Sequence, residues 1–110
     1  MDLHVHQVAI DTIVALRPLV GQIERRDRDL AKQIRRSASS VPLNIAEGSW
    51  SRGGNKLARF ETALGSAKET MSALKVAVAW GYVRTEQTRR AWQLMDQVAA
   101  TLFKLVDPPR

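Results

Sequence analysis

At 110 residues, with no cysteine and an aromatic share of 5%, the chain is long enough for one core-bearing domain over 1–110 and excludes disulfides, thiolate catalysis and cysteine-based zinc sites. Hydrophobic residues make up 45%, so the core must come mainly from Leu, Ile, Val and Ala, a composition that favours packed helices. Seventeen Lys and Arg against eleven Asp and Glu leave a net charge of +6, which favours polyanionic partners without bearing on fold.

No apolar run approaches the roughly 18 residues needed to span a bilayer, and the opening MDLHVHQ lacks the basic-then-apolar layout of a secretory signal. A cytoplasmic protein without membrane contact is expected. From about residue 5 to 24, Ala9, Ile13, Leu16, Val20 and Ile23 recur at helical spacing, predicting a first amphipathic helix that Pro18 bends or divides. His4 and His6 fall on opposite sides of that helix, so solvated imidazoles are expected there rather than metal ligands, and no cofactor is expected. The segment ERRDRD contains no apolar residue and predicts the first turn, with solvated arginines and Asp29 as N-cap or first-turn acid of the next helix.

The stretch LAKQIRRSASSVPLNIAEG, from Leu30 to Gly48, carries an apolar stripe of Leu30, Ile34, Ala38, Val41 and Ile45. Lys32, Arg36 and Ser40 point away from it, with Arg35 on its shoulder. Pro42 removes a backbone donor and crowds the carbonyl of Ala38. The stripe nevertheless keeps its register across Pro42, so a single kinked helix is expected, with a break and restart at the proline as the alternative. Glu47 in the last turn faces the unfavourable end of the helix dipole and is expected to have a partner. Asn44, at the edge of the stripe, should be hydrogen-bonded if buried.

Gly48 to Gly54, GSWSRGG, predicts a flexible link. Lys56 stands at the wrong spacing for a phosphate loop, and no strand precedes it. Trp50 beside Arg52 is suited either to packing over a helix end or a neighbouring subunit, or to stacking on an unpaired base. A third helix is predicted from Asn55 to about Gly81, with Leu57, Phe60, Leu64, Ala67, Met71, Leu74 and Val78 as its core seam. Ala58, Gly65 and Ser72 form a second row of small residues, and close approach of another helix is the expected reason for Gly65. Thr85 is expected to cap a fourth helix that runs to about Val106. One of its seams holds Ala91, Leu94, Val98, Leu102 and Leu105, and the other Trp92, Met95, Ala99 and Val106. So wide an apolar face suggests self-association. The tail DPPR reads as a terminal stop.

Catalysis has little to work with. No histidine beyond the first turn can activate Ser37, Ser39, Ser40 or Ser66, and Glu47, Glu61 and Glu69 have no accompanying histidine for a di-iron site. The serines of the central helix are expected to save space or to bond backbone carbonyls near Pro42.

Two segments resemble a known family. QIRRSASSVPLNIAEG, from Gln33 to Gly48, and RFETALGSAKETMSALKVAVAWGYV, from Arg59 to Val83, are similar to the signatures of the four-helix bundle proteins that include the 23S ribosomal RNA intervening-sequence proteins and the accessory variability determinant of diversity-generating retroelements. The first helix, VHQVAIDTIVALRPLV, departs from the aromatic-rich opening usual there. The resemblance implies an all-α, antiparallel, up-and-down four-helix protomer in a ring-like homopentamer with a positive surface, and a reverse transcriptase and its RNA as partners of the retroelement members. Lys32, Arg35, Arg36, Arg52, Lys56 and Arg59 are the candidate nucleic-acid contacts. Pro42, Asn44, Glu47, Gly48, Gly65 and Trp92 are the candidate structural or interface residues. The competing expectation is a protein-interaction scaffold whose basic face meets an acidic partner, without physiological nucleic acid.

Overall fold

In the computed structural model, which describes residues 3–108, the chain forms α1 (Leu3–Glu24), α2 (Arg28–Trp50), α3 (Gly53–Ala79) and α4 (Thr85–Val106), with no strand among the described residues. Helices consecutive in the chain pack on one another, and α4 closes against α1. The resulting four-helix bundle is 43 Å long, close to the roughly 40 Å that a helix of α3's length spans at 1.5 Å per residue. Met1, Asp2, Pro109 and Arg110 lie outside the described residues, and with them both ends of the expected 1–110 domain and half of the terminal DPPR stop.

Two prolines sit inside unbroken helices. Pro18 does not divide α1: it and Val14 both face solvent, where the carbonyl that loses its donor can be hydrated. The break-and-restart alternative for Pro42 is likewise overturned, since α2 runs through it with Val41 and Ile45 fully buried on either side. The first turn is shorter than expected because Asp27 is the N-cap of α2, accepting a hydrogen bond from the Leu30 N–H at 2.9 Å, while Asp29 supplies first-turn negative charge. Thr85 opens α4 rather than capping it. The cap is Arg84, whose backbone N–H donates to Gln87 Oε1 at 2.9 Å. Gly81, at φ 78°, ends α3 as expected; its N–H donates to Val78 O and that of Tyr82 to Ala77 O, both at 2.9 Å, a pairing that satisfies the last carbonyls of a helix.

The core has two apolar clusters. One gathers Leu16, Leu19 and Ile23 of α1 with Leu30 and Ile34 of α2, Leu74 of α3 and Ala91 of α4. The other gathers Val5 and Val8 with Val41, Ile45, Phe60, Met95, Val98 and Leu102. Between these levels along their helices lie three buried hydroxyls, Thr12, Ser37 and Thr70. Each has a partner: Thr12 Oγ1 donates to Val8 O at 2.7 Å, and Ser37 Oγ pairs with Thr70 Oγ1 at 2.8 Å.

The buried face of α3 differs from the expected seam. Ala63, Thr70, Ala73 and Ala77 join Phe60, Ala67 and Leu74 in the interior, while Leu57 is 41% exposed and Leu64, Met71 and Val78 are only partly buried. At 3.6 residues per turn the inward direction lies roughly 70° from the leucine-rich seam. The two glycine expectations also change places. Gly48 is buried inside α2, which continues to Trp50, so the flexible link shrinks to Ser51 and Arg52. A Cβ on Gly48 would stand 2.7 Å from Cε1 of Phe60 and 3.2 Å from Cβ of Arg59. Gly65, by contrast, is exposed, and a Cβ there would meet nothing within 4 Å. In α4, Leu105 leaves the expected core seam and is 41% exposed, beside Phe103 at 51%.

Candidate nucleic-acid interface

All six candidate cations lie on α2, α3 or the short link between them, and the fold sorts them into separate places. Lys32 and Arg36 line a polar groove of about 710 Å³ along the junction of α2 with α3, together with Ser39, Ser40, Ser66 and two acids, Asp29 and Glu69. Arg35 is on the opposite flank, against α1, where its Nη1 lies 2.6 Å from Glu24 Oε1. Arg52, Lys56 and Arg59 stand toward the far end of the α2–α3 pair, Arg52 roughly 30 Å from Lys32 by helical rise and Arg59, level with Asn44, roughly 18 Å. There Lys56 Nζ lies 5.9 Å from the centre of the Phe60 ring, and Arg59 Nη1 donates to Asn44 Oδ1 at 3.4 Å. Lys32, Arg36 and Arg52 pair with no acid among the described residues.

The first turn, expected to be a solvated loop, forms part of a larger basic surface. Arg25, Arg26, Arg28, Lys32 and Arg35 line one recess of about 780 Å³ together with Glu24, Asp27 and Asp29. Two of those acids are already engaged. Glu24 holds Arg35, while Asp27 caps α2 through Oδ1 and accepts from the Tyr82 hydroxyl through Oδ2 at 3.1 Å. The Arg26 guanidinium lies over the Tyr82 ring at 5.7 Å. Partial burial, and then the hydrogen bond to Asp27, push the Tyr82 phenol above its ordinary pKa. Two glutamines tie the same end together: Gln87 Nε2 donates to Gln22 Oε1 at 2.9 Å, and Gln22 Nε2 donates to Tyr82 O at 3.0 Å. The recess therefore has a cation surplus on a partly braced surface, legible in the sequence only as a cluster of charges around a turn.

The serines of α2 do more than save space. Ser66 Oγ of α3 donates to Ser40 Oγ at 2.8 Å, and Asn44 Nδ2 donates to Ser40 O and Oγ, each at 2.9 Å. With the buried Ser37–Thr70 pair and the Asn44–Arg59 bond, these form a polar ladder between α2 and α3. Asn44 has the hydrogen bonds expected of it. Glu47 does not have the expected partner: its carboxylate is exposed and unpaired among the described residues. Trp50 is 89% exposed and does not pack over a helix end of its own chain. Trp92 lies partly buried between α3 and α4, with Lys75 Nζ 5.2 Å from its ring centre. His4 is exposed and His6 half-buried.

The family model described as 23S rRNA-intervening sequence protein matches residues 1–104. A crystal structure of a protein with unknown function from the S23 ribosomal protein family of Bacteroides thetaiotaomicron superposes with a TM-score of 0.84 at 21% identity, covering 94% of this chain and 98% of that one. That likeness speaks to fold alone. No curated protein matches the chain. With nearly its whole length matched, the chain belongs to the 23S rRNA-intervening sequence protein family.

Proposed function

We propose that the chain is a non-enzymatic, self-associating RNA-binding protein that holds phosphates on a basic surface running from the first turn along α2. The observation that carries this reading is the recess in which, beyond the Arg35–Glu24 ion pair, four cations meet two acids, one of them, Asp27, already engaged as the cap of α2. It continues through Lys32 into the groove that Arg36 lines. Cations presented along a surface hold phosphates without reading sequence. A second group, Arg52, Lys56 and Arg59, stands near the exposed Trp50, a ring suited to an unpaired base. The family's description, which refers to a sequence within 23S rRNA, supports RNA as the polyanion, and the retroelement resemblance adds a reverse transcriptase as a candidate partner in the cytoplasm.

The protomer is read as antiparallel and up-and-down, with α2 kinked at Pro42. Support comes from the ladder, in which rising positions on α2 (Ser37, Ser40, Asn44) meet falling positions on α3 (Thr70, Ser66, Arg59). Self-association, as a ring-like homopentamer in the family resemblance, is supported by Leu43 at 65%, Trp50 at 89% and Phe103 at 51% exposure, with the unpaired Glu47 on the same stretch of α2. A non-catalytic role is supported by the engagement of Ser37 and Ser66 with other hydroxyls rather than with a base.

Binding to single-stranded RNA, measured from low to high salt, tests the reading. Wild type should weaken steeply as salt rises, and Lys32→Glu with Arg36→Glu should bind more weakly, with a log–log slope smaller by about 1.4, roughly 0.7 for each phosphate that is no longer neutralised. Equal affinity and slope in a variant that still assembles would remove the RNA reading. The scaffold alternative, with an acidic protein partner, predicts purified material whose ratio of 260 to 280 nm absorbance is that of protein alone after mild washing.

A further inference from the structure

A second groove lies on the other side of α3, between that helix and α4, with a volume of about 470 Å³. This falls within the roughly 300–1,000 Å³ typical of small-molecule sites. Leu74 and Val78 form its apolar wall, Trp92 supplies an aromatic face, Gln93 stands beside it, and Lys75 and Arg89 are its charged residues. No acid lines it, and neither cation pairs with an acid among the described residues. The Trp92 ring is covered on one face by the Lys75 ammonium, 5.2 Å from its centre. A lysine tip is a long, mobile cover, and a flat ring can take its place while the ammonium turns to an anion at the ring's edge.

We propose that this groove binds a single nucleotide, the base stacked on Trp92 and the phosphate held by Lys75 and Arg89. Charge and shape complementarity carry the assignment: an aromatic face beside two unpaired cations fits a planar ring that bears an anion. A wholly apolar ligand would leave both cations unused, and inorganic phosphate would leave the ring unused. The site is independent of the α2 surface, since none of the residues lining it lines the recess or the polar groove there. The nucleotide could arrive free or as an unpaired unit of a single strand, and the chemistry is the same.

The test uses a chain with Trp50→Phe and Trp80→Phe, two positions that are 89% and 68% exposed, so that Trp92 is the remaining indole. Adenosine monophosphate should quench its fluorescence saturably, and Lys75→Gln with Arg89→Gln should weaken that binding at least about tenfold. Trp92→Leu should weaken binding, followed by calorimetry, by about tenfold or more. In the Lys32→Glu, Arg36→Glu background, where the α2 surface is weakened, a short oligoadenylate that binds more tightly than the mononucleotide names the strand as source. Equal or weaker binding names the free nucleotide. Lys32→Glu with Arg36→Glu should leave the quench unchanged, so failure of the α2 reading and failure of this one are distinguishable. Absence of saturable quenching by either ligand at millimolar concentration overturns the proposal, as does undiminished affinity in the folded Lys75→Gln, Arg89→Gln protein. A Trp92 signal that follows protein concentration and ignores nucleotide would make the groove a subunit contact, and the proposal would fall.

Discussion

α3 and α4 bury faces of opposite kinds. α3 turns Ala63, Ala67, Ala73 and Ala77 inward with Phe60, Thr70 and Leu74, whereas α4 turns Leu94, Met95, Val98 and Leu102 inward with Ala91 and Thr88. An alanine-rich face fills little volume, so the helix against it must come close, and its position is set by discrete contacts: the Phe60 ring against Gly48, and the hydroxyl pairs Ser37–Thr70 and Ser40–Ser66. A leucine- and methionine-rich face holds its place by volume. The same apolar interior is therefore sensitive to opposite errors on its two sides: α4 to lost bulk, and α3 to added bulk or an unpaired hydroxyl.

The comparison is tested most strongly by Met95→Ala, which empties a fully buried side chain. It should cost about 2–5 kcal/mol in urea unfolding; a cost below about 1 kcal/mol would mean that α4 does not hold by volume. Gly48→Val should follow at about 1–3 kcal/mol, because its Cβ would meet a buried ring at 2.7 Å. A neutral outcome would show that Phe60 moves freely and that close approach does not position α3. Thr70→Val should cost about 1–2 kcal/mol by leaving Ser37 without its hydroxyl partner. Adding Ser37→Ala to it should recover part of that loss, since removing both partners costs less than leaving Ser37 with only its 3.3 Å bond to Ile34 O. Additive losses would mean that the pair is not coupled. The smallest effect has the opposite sign: Gly65→Ala, with open space at the new methyl, should stabilise the helix by up to about 1 kcal/mol. Destabilisation there would reveal a neighbour pressed against the outer face of α3, and light scattering on the same variant would show whether that neighbour is a second copy.

Much of this was legible beforehand. The stripe Leu30, Ile34, Ala38, Val41 and Ile45 is buried as its spacing predicts, because a four-three-four rhythm leaves one face of a helix and no other to turn inward. Gly81 stops α3 for the reason its type suggests, a positive φ. The α3 seam misled because leucine and methionine outrank alanine in any count of hydrophobicity, whereas in a close contact the small side chain goes inward and the larger ones settle on the flanks. Gly48 and Gly65 misled for a related reason: a glycine's spacing along its own helix says nothing about what stands opposite. The cations of the first turn were visible as charges, yet their arrangement depends on Tyr82, which is 55 residues from Asp27 in the chain.

Four amphipathic helices, a cysteine-free interior and a cationic exterior could be read from the chain alone, because periodicity and charge are local properties that any fold of these residues must honour. Packing settled which face of α3 turns inward, which glycine admits a neighbour, and which arginines share one recess. Each of those depends on the distance between residues remote in sequence, and that distance exists only once the helices have come together.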